Sequence, residues 1–137
     1  MIIVSSILLL ICTYLSLRYY KLHNNLSVPG TSICSWSRYI DCDRVLLTIE
    51  ARYFLFPNAY IGFIFNKFGF LIATAFEYTN IHVFLYILLV AYGVSSLVTI
   101  VFWNLLLRLP NLCPLCPLHH IFTYILFVMA VMNWVTE

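Results

Sequence analysis

Four long apolar runs divide the chain. They cover residues 2–20, 54–76, 83–107 and 113–135. Each has about the 20 residues that a helix needs to cross the hydrocarbon core of a bilayer. The pattern predicts an all-α integral membrane protein, with residues 1–137 forming a single four-transmembrane-helix bundle.

The first run is predicted to stay as a membrane helix. It has no positive n-region and no small-residue cleavage site of the kind that a signal peptide carries. It ends at Arg18 and Lys21, and Tyr19 and Tyr20 between them suit the membrane interface. With four spans, both chain ends lie on one side of the membrane, and the loops after the first and third spans share the other side.

One long polar segment, residues 21–53, separates the first two spans and contains Cys34 and Cys42. After Cys42, apolar positions 45, 46, 49 and 53 follow helical spacing. We therefore expect a short amphipathic helix at the membrane surface or across the mouth of the bundle. Pro57 suits the first turn of the second span, where its missing N–H costs nothing.

Composition agrees with a membrane protein. Hydrophobic residues make up 64% of the chain and charged residues 9%, against about 45–50% and about 25% in soluble proteins. The net charge of +2, without basic runs beyond two residues, excludes nucleic acid as the expected partner. Five cysteines are too few for a disulfide-stapled mini-protein of this length. Cys12, inside an apolar run, is expected to be a small buried hydrophobe.

The fourth span is predicted to begin near residues 112–114. Pro114 and Pro117 are tolerated only where backbone N–H groups lack helical partners, that is, in the first turn. Asn111 is a candidate N-cap.

This start places Cys113 and Cys116 as a C-x-x-C motif at a helix N-terminus. The spacing puts both sulfurs on one face, close enough to form a disulfide. Helix N-termini lower cysteine pKa values, and the thiolate is the nucleophile of disulfide exchange. His119 and His120 follow within reach of Cys116, and His120 lies on the same stripe as Cys113.

Span counting brings all four loop-associated cysteines to one side of the membrane, which predicts thiol–disulfide exchange. The same cysteines and two histidines could instead form a zinc or copper site in a non-enzymatic metal carrier. Covalent haem is excluded because Pro117 stands where C-x-x-C-H requires histidine. We assign no metal ligand.

Charged residues are unevenly distributed. Lys67 falls near the middle of the second span, where an unpaired charge costs several kcal/mol, so we expect it to snorkel or to pair inside the bundle, with a functional role as the alternative. The other basic residues all lie on the cysteine side: Arg18, Lys21, Arg38, Arg44, Arg52 and Arg108. The positive-inside rule places that side in the cytoplasm.

Three ordered motifs resemble the vitamin K epoxide reductase family. They are CSWSRYIDCDRV at residues 34–45, PNAYIG at 57–62 and CPLC at 113–116. The resemblance covers roughly residues 1–135 and also agrees in the four-span layout. It extends to the prokaryotic members that oxidise partner thiols and reduce quinones. Many bacterial members carry a fused thioredoxin domain, which this chain lacks, so its partner is expected to be separate.

The resemblance implies an electron relay. The loop pair would exchange with a thioredoxin-fold protein through Cys34, and Cys42 would pass electrons to Cys113. Cys116 would then face a quinone such as menaquinone or ubiquinone, dissolved in the membrane lipid.

Three further residues match quinone-site positions of the family. Asn58 matches an asparagine that hydrogen-bonds the quinone oxygen. His120 stands where many relatives have an aromatic residue such as tyrosine, and Thr48 stands where serine is common. Reduction of vitamin K epoxide or quinone as the purpose of the reaction would use the same residues. The family usually faces the lumen or periplasm, so a cytoplasmic site would make this chain an inverted member.

Overall fold

A computed structural model describes residues 1–53 and 56–136, without the side chain of Tyr53. Four of its helices are long and apolar enough to cross a membrane, which confirms the predicted four-span bundle. These helices are α1 (Ile2–His23), α3 (Asn58–Thr79), α4 (His82–Leu106) and α5 (Leu115–Thr136). A short helix, α2 (Cys42–Leu46), lies in the long loop between α1 and α3.

The second span starts later than the apolar run suggests. Positions 54 and 55 of the predicted span lie outside the described residues. Phe56–Pro57 forms strand β2, which pairs antiparallel with strand β1 (Arg52–Tyr53), and α3 begins at Asn58. Pro57 is therefore the N-cap of α3 and not a residue of its first turn.

The fourth span also starts later, at Leu115. The prediction that Asn111 caps this helix is wrong, because the Asn111 amide donates a 2.8 Å hydrogen bond to the carbonyl of Arg38 in the long loop. Leu112 forms an isolated parallel bridge with Ile40. This extended pairing keeps the chain out of helical conformation until it has passed Cys113.

The helix expected after Cys42 is present but short. The Asp41 carboxylate caps α2 by accepting hydrogen bonds from the backbone N–H groups of Asp43 and Arg44. The helix ends at Leu46, and a separate 3₁₀ turn covers Ile49–Ala51. The apolar spacing therefore predicted a longer helix than the chain forms.

The bundle core lies between all four long helices. In its centre, Leu8 from α1, Ala73 from α3, Leu88 and Tyr92 from α4, and Leu126 from α5 are buried together. Many apolar residues on the outer faces of these helices are exposed, as expected for surfaces that face lipid.

One glycine makes a close approach possible in this core. A Cβ atom at Gly69 would collide with the hydroxyl of Tyr92. Tyr92 can therefore lie fully buried across α3 only because residue 69 has no side chain.

Lys67 is exposed on the outer face of α3. It forms no ion pair or hydrogen bond with the described residues. The expected pairing inside the bundle is therefore not seen within the described part of the chain.

Candidate redox site

A backbone clamp joins the long loop to the start of α5. The N–H of Leu112 donates to the carbonyl of Tyr39 at 2.8 Å, and the N–H of Asp41 donates to the carbonyl of Leu112 at 3.0 Å. Because Cys42 and Cys113 each follow directly on these paired residues, the clamp sets the two cysteines side by side.

The four predicted cysteines meet in one cluster, in which Cys34, Cys42 and Cys113 are buried and Cys116 is partly buried. Cys34 and Cys42 form a disulfide, whereas Cys113 and Cys116 are free thiols. The sulfur of Cys113 lies 3.1 Å from the sulfur of Cys42. Cys42 and Cys113 have no exposed surface, and Cys34 is 2% exposed. The loop pair is thus oxidised, the helix pair is reduced, and their sulfurs are in contact.

The surroundings of Cys113 favour its thiolate. A hydrogen bond from the Cys116 thiol lowers the pKa of Cys113 below its ordinary value, and the backbone N–H groups of Cys116 and Leu115 act in the same direction against the cost of burial. A helix start beside the sulfur therefore has the effect that the motif predicts.

An ion pair fastens the loop to α1. The Asp43 carboxylate, buried beside Cys42, accepts hydrogen bonds from Arg18 Nε at 2.8 Å and Arg18 Nη2 at 2.7 Å. The N–H groups of Gly30 and Thr31 donate to the same carboxylate. Burial alone would raise the pKa of Asp43, but the Arg18 contacts outweigh it and hold that pKa below its ordinary value. The sequence has no local signal for this pair, because the two residues lie 25 positions apart.

A tight turn covers Cys34. The hydroxyl of Ser32 lies 3.6 Å from the Cys34 sulfur, and Ser35 donates a 2.6 Å hydrogen bond to Asp41. Ile33 and Trp36 on the outside of the turn are 71% and 70% exposed. The disulfide is therefore enclosed beneath an apolar outer surface.

The side chains of Asn58 and Thr48, two of the predicted quinone contacts, form hydrogen bonds to the backbone of the long loop. The Asn58 amide donates to the carbonyl of Glu50 at 3.1 Å, and the Thr48 hydroxyl donates to the carbonyl of Val45 at 2.7 Å. Neither hydrogen bond involves a cysteine.

His120, the third predicted contact, lies between α5 and α4. Its Nδ1 is 3.1 Å from the Thr99 hydroxyl, and its ring stacks on Phe102 at 6.0 Å between centroids. Trp103 lies at 6.4 Å. This imidazole therefore stands in an aromatic setting one helical turn from Cys116.

Sequence reasoning missed a polar cluster in the middle of the bundle. The Asn66 amide nitrogen lies 3.1 Å from His119 Nε2, and it donates to the Gly62 carbonyl at 2.8 Å and to the Cys12 sulfur at 3.4 Å. The Tyr92 hydroxyl donates to the Asn66 side-chain oxygen at 3.4 Å. In the sequence, Asn66 is a polar residue inside an apolar run, and this is the only signal for it.

The part of the chain that the structure describes contains no candidate metal site. Within residues 1–53 and 56–136, no three histidine, cysteine, aspartate or glutamate side chains are grouped so that they could hold an ion. The geometry thus lends no support to the metal-carrier alternative.

Comparison with known proteins gives one clear finding. The family model described as the vitamin K epoxide reductase family matches residues 1–131. A search of curated proteins finds no match. The matched range includes both cysteine pairs, the first three candidate spans and most of the fourth.

Proposed function

Because the chain belongs to the vitamin K epoxide reductase family, we propose that it is a thiol oxidase that passes electrons from a separate thioredoxin-fold protein to a quinone. Membership already makes it a membrane oxidoreductase that works through cysteines. The observation that carries the finer proposal is the 3.1 Å contact between the sulfurs of Cys42 and Cys113.

The first exchange takes electrons from the partner. A partner thiolate attacks Cys34 and releases Cys42 as a thiolate, and the partner's second thiol then attacks its own sulfur in that mixed disulfide and frees Cys34. The partner leaves oxidised, and the loop pair is reduced by two electrons. Since Cys34 is enclosed, the turn at residues 32–36 has to move aside for this attack.

The second exchange moves the electrons inward. The Cys42 thiolate attacks Cys113 of an oxidised Cys113–Cys116 pair, and Cys116 leaves with the electron pair. Cys34 then attacks Cys42, which restores the loop disulfide and releases Cys113. The product has the oxidation states of this structure, with Cys34 joined to Cys42 and the other pair reduced.

A bound quinone would accept two electrons and two protons, and in doing so would let Cys113 and Cys116 close their disulfide. His119 and His120 lie one helical turn from Cys116 on α5, and the rings of Phe102 and Trp103 flank His120. Hydrogen-bond donors next to flat apolar surfaces suit a quinone head group. Asn58, Thr48 and His120 are the residues proposed to hold it.

The orientation follows from charge. The basic residues of the loop and helix ends gather on the cysteine side, so we propose that this side faces the cytoplasm. This orientation is tested by labelling protein with two substitutions, Cys34→Ala and Ser37→Cys, of which the second places one new cysteine on the surface. Modification by an impermeant maleimide only after the cells are opened supports the proposal, and modification of intact cells overturns it.

Turnover tests the function itself. The purified protein in lipid nanodiscs is mixed with a reduced thioredoxin-fold protein and ubiquinone-1 or menadione, and quinone absorbance is followed. The proposal expects turnover by the wild type and its loss in Cys113→Ala and Cys116→Ala. Cys12→Ala, which removes a cysteine outside the relay, serves as the matched control. Quinone reduction that survives Cys116→Ala contradicts the proposal.

A further inference from the structure

His119 and Asn66 form a buried pair that the electron relay does not use. His119 follows Cys116 by one helical turn on α5, and Asn66 is 1% exposed on α3. Residues three apart on a helix lie on the same face. The imidazole therefore stands directly beyond the thiol that faces the quinone in the proposed function.

Asn66 fixes which nitrogen of His119 carries the proton. The amide nitrogen faces the Gly62 carbonyl at 2.8 Å, an atom that can only accept, while the amide oxygen receives the Tyr92 hydroxyl. The same nitrogen lies 3.1 Å from His119 Nε2, and an amide nitrogen can only donate. His119 Nε2 must therefore be the acceptor, which leaves the proton of the neutral imidazole on Nδ1.

The Nδ1–H of His119 has no partner of its own. It forms no hydrogen bond with the described residues. Among those residues, every fully enclosed side-chain nitrogen or oxygen has a partner, so Nδ1 is not fully enclosed. A donor left unpaired in an apolar setting is unfavourable. This donor is available to an acceptor that enters the bundle.

Among the described residues, no charged side chain contacts His119. Cys12 faces it through Asn66 from α1, Tyr92 faces it through Asn66 from α4, and His120 is its ring neighbour on α5 at 5.4 Å. Cys116 completes the set. None of these contacts is a carboxylate that would favour an imidazolium. A positive His119 would also set its Nε2–H against the Asn66 N–H.

We propose that neutral His119, held in its Nδ1–H tautomer by Asn66, donates a hydrogen bond to the quinone oxygen while the Cys113–Cys116 pair is being oxidised. This inference rests on the proposed function and adds His119 as a binding residue and Asn66 as a positioning residue. A preorganised donor aimed at an oxygen that gains negative charge lowers the barrier of a reaction. A neutral imidazole can serve as such a donor.

Polar pairs between membrane helices also hold helices together, and this purely structural role needs a separate test. It predicts that losing His119 weakens the fold without a specific change in the quinone step. The half-reaction with quinone and the protonation state of the ring separate the two roles.

The kinetic test uses chemically reduced protein in nanodiscs, mixed with menadione in the absence of any thiol partner. His119→Phe keeps a ring and removes the donor, and it should slow oxidation of the cysteine pair about 100-fold, the cost of removing one such donor. His119→Gln, which restores an N–H, should recover part of the rate. His23→Phe, at the exposed end of α1, is the matched control and should keep the wild-type rate.

The spectroscopic test does not depend on turnover. In oxidised protein labelled with ¹⁵N-histidine, the His119 signals, assigned by comparison with His119→Gln, should show a neutral ring protonated at Nδ1. Adding menadione should shift the Nδ1 signal. Asn66→Leu should produce a mixture of tautomers.

The outcomes distinguish the two proposals. If wild-type protein does not reduce menadione at all, the proposed function fails. The His119 assignment is overturned, while the relay stands, if the wild type reduces menadione but the oxidation rate of His119→Phe stays within threefold of the wild-type rate. The same holds if menadione does not shift the Nδ1 signal. Should His119→Phe fail to fold, the labelled wild type still decides.

Discussion

Replacing Asp43 by asparagine removes one charge from the loop and keeps its shape. The carboxylate accepts two hydrogen bonds from Arg18 and one each from the N–H groups of Gly30 and Thr31. Breaking a buried ion pair costs about 3–5 kcal/mol. Arg18 keeps its bonds to a backbone carbonyl and a hydroxyl nearby, so the lower value, about 3 kcal/mol, applies to the docking of the loop.

The lost docking energy of the loop should appear as a lower effective concentration of Cys42 at Cys113. Protein with Cys34→Ala and Cys116→Ala retains only these two sulfurs at the site. Its disulfide is equilibrated with glutathione and quantified by alkylation and mass spectrometry. A loss of 3 kcal/mol corresponds to about a 150-fold fall, since 1.36 kcal/mol is tenfold. Asp43→Asn should therefore lower the effective concentration by about two orders of magnitude.

Glu50→Gln is the matched control, because it neutralises an acid of the same loop whose side chain has no ion pair among the described residues. It should change the effective concentration by no more than a factor of about two, because it breaks no ion pair and surface charges contribute little. An Asp43→Asn value equal to that of the control would refute the idea that this ion pair holds Cys42 in place.

Acid should release the loop only at very low pH. The folded pKa of Asp43 is depressed, so its contribution is complete above the ordinary carboxyl pKa, about 3.9, and is lost as pH falls through the lower folded value. In the protein that keeps Asp43, the effective concentration should thus show no carboxyl titration between about pH 8 and pH 5. A fall centred in that range would contradict the assignment.

Two further substitutions test the clamp and the bundle. Leu112→Pro removes the N–H that donates to Tyr39, at a cost of about 1–3 kcal/mol, and should slow exchange between the two cysteine pairs about tenfold or more in stopped-flow alkylation. An unchanged rate would show that the clamp is dispensable. Gly69→Ala drives a methyl group into the Tyr92 hydroxyl and should destabilise the bundle by about 1–3 kcal/mol in detergent unfolding. Gly93→Ala, which meets only a ring edge, should cost less, and equal losses would contradict the assigned collision.

The fold can be predicted from the sequence because each span is long and apolar and ends at charged or turn residues. Helix starts were less predictable. Residues 56 and 57 look like part of an apolar run, yet they pair as a strand with Arg52 and Tyr53. Leu112 likewise pairs with residues more than 70 positions away, which delays α5. Such pairing depends on tertiary contacts that no local window contains.

The site shows the same division. The spacing of Cys113 and Cys116 predicted a helix-terminal motif, and span counting placed both pairs on one side. The sulfur contact joins residues 71 positions apart, and the His119–Asn66 contact joins residues 53 apart. His120 lies on the stripe of Cys113 and contacts Thr99 of α4, whereas His119 contacts the buried Asn66 of α3. A single sequence contains no signal for which partner each of two adjacent histidines will meet.

The most direct test of the relay is the disulfide content of Cys116→Ala protein. Without Cys116, the Cys113 thiolate can attack Cys42 but the helix pair cannot close its own disulfide. Acid-quenched, non-reduced peptides analysed by mass spectrometry should contain a Cys42–Cys113 link together with a free Cys34 thiol. Protein in which Cys34 and Cys42 remain fully joined and Cys113 stays free, even after incubation in a thiol redox buffer, would contradict electron transfer between the two pairs.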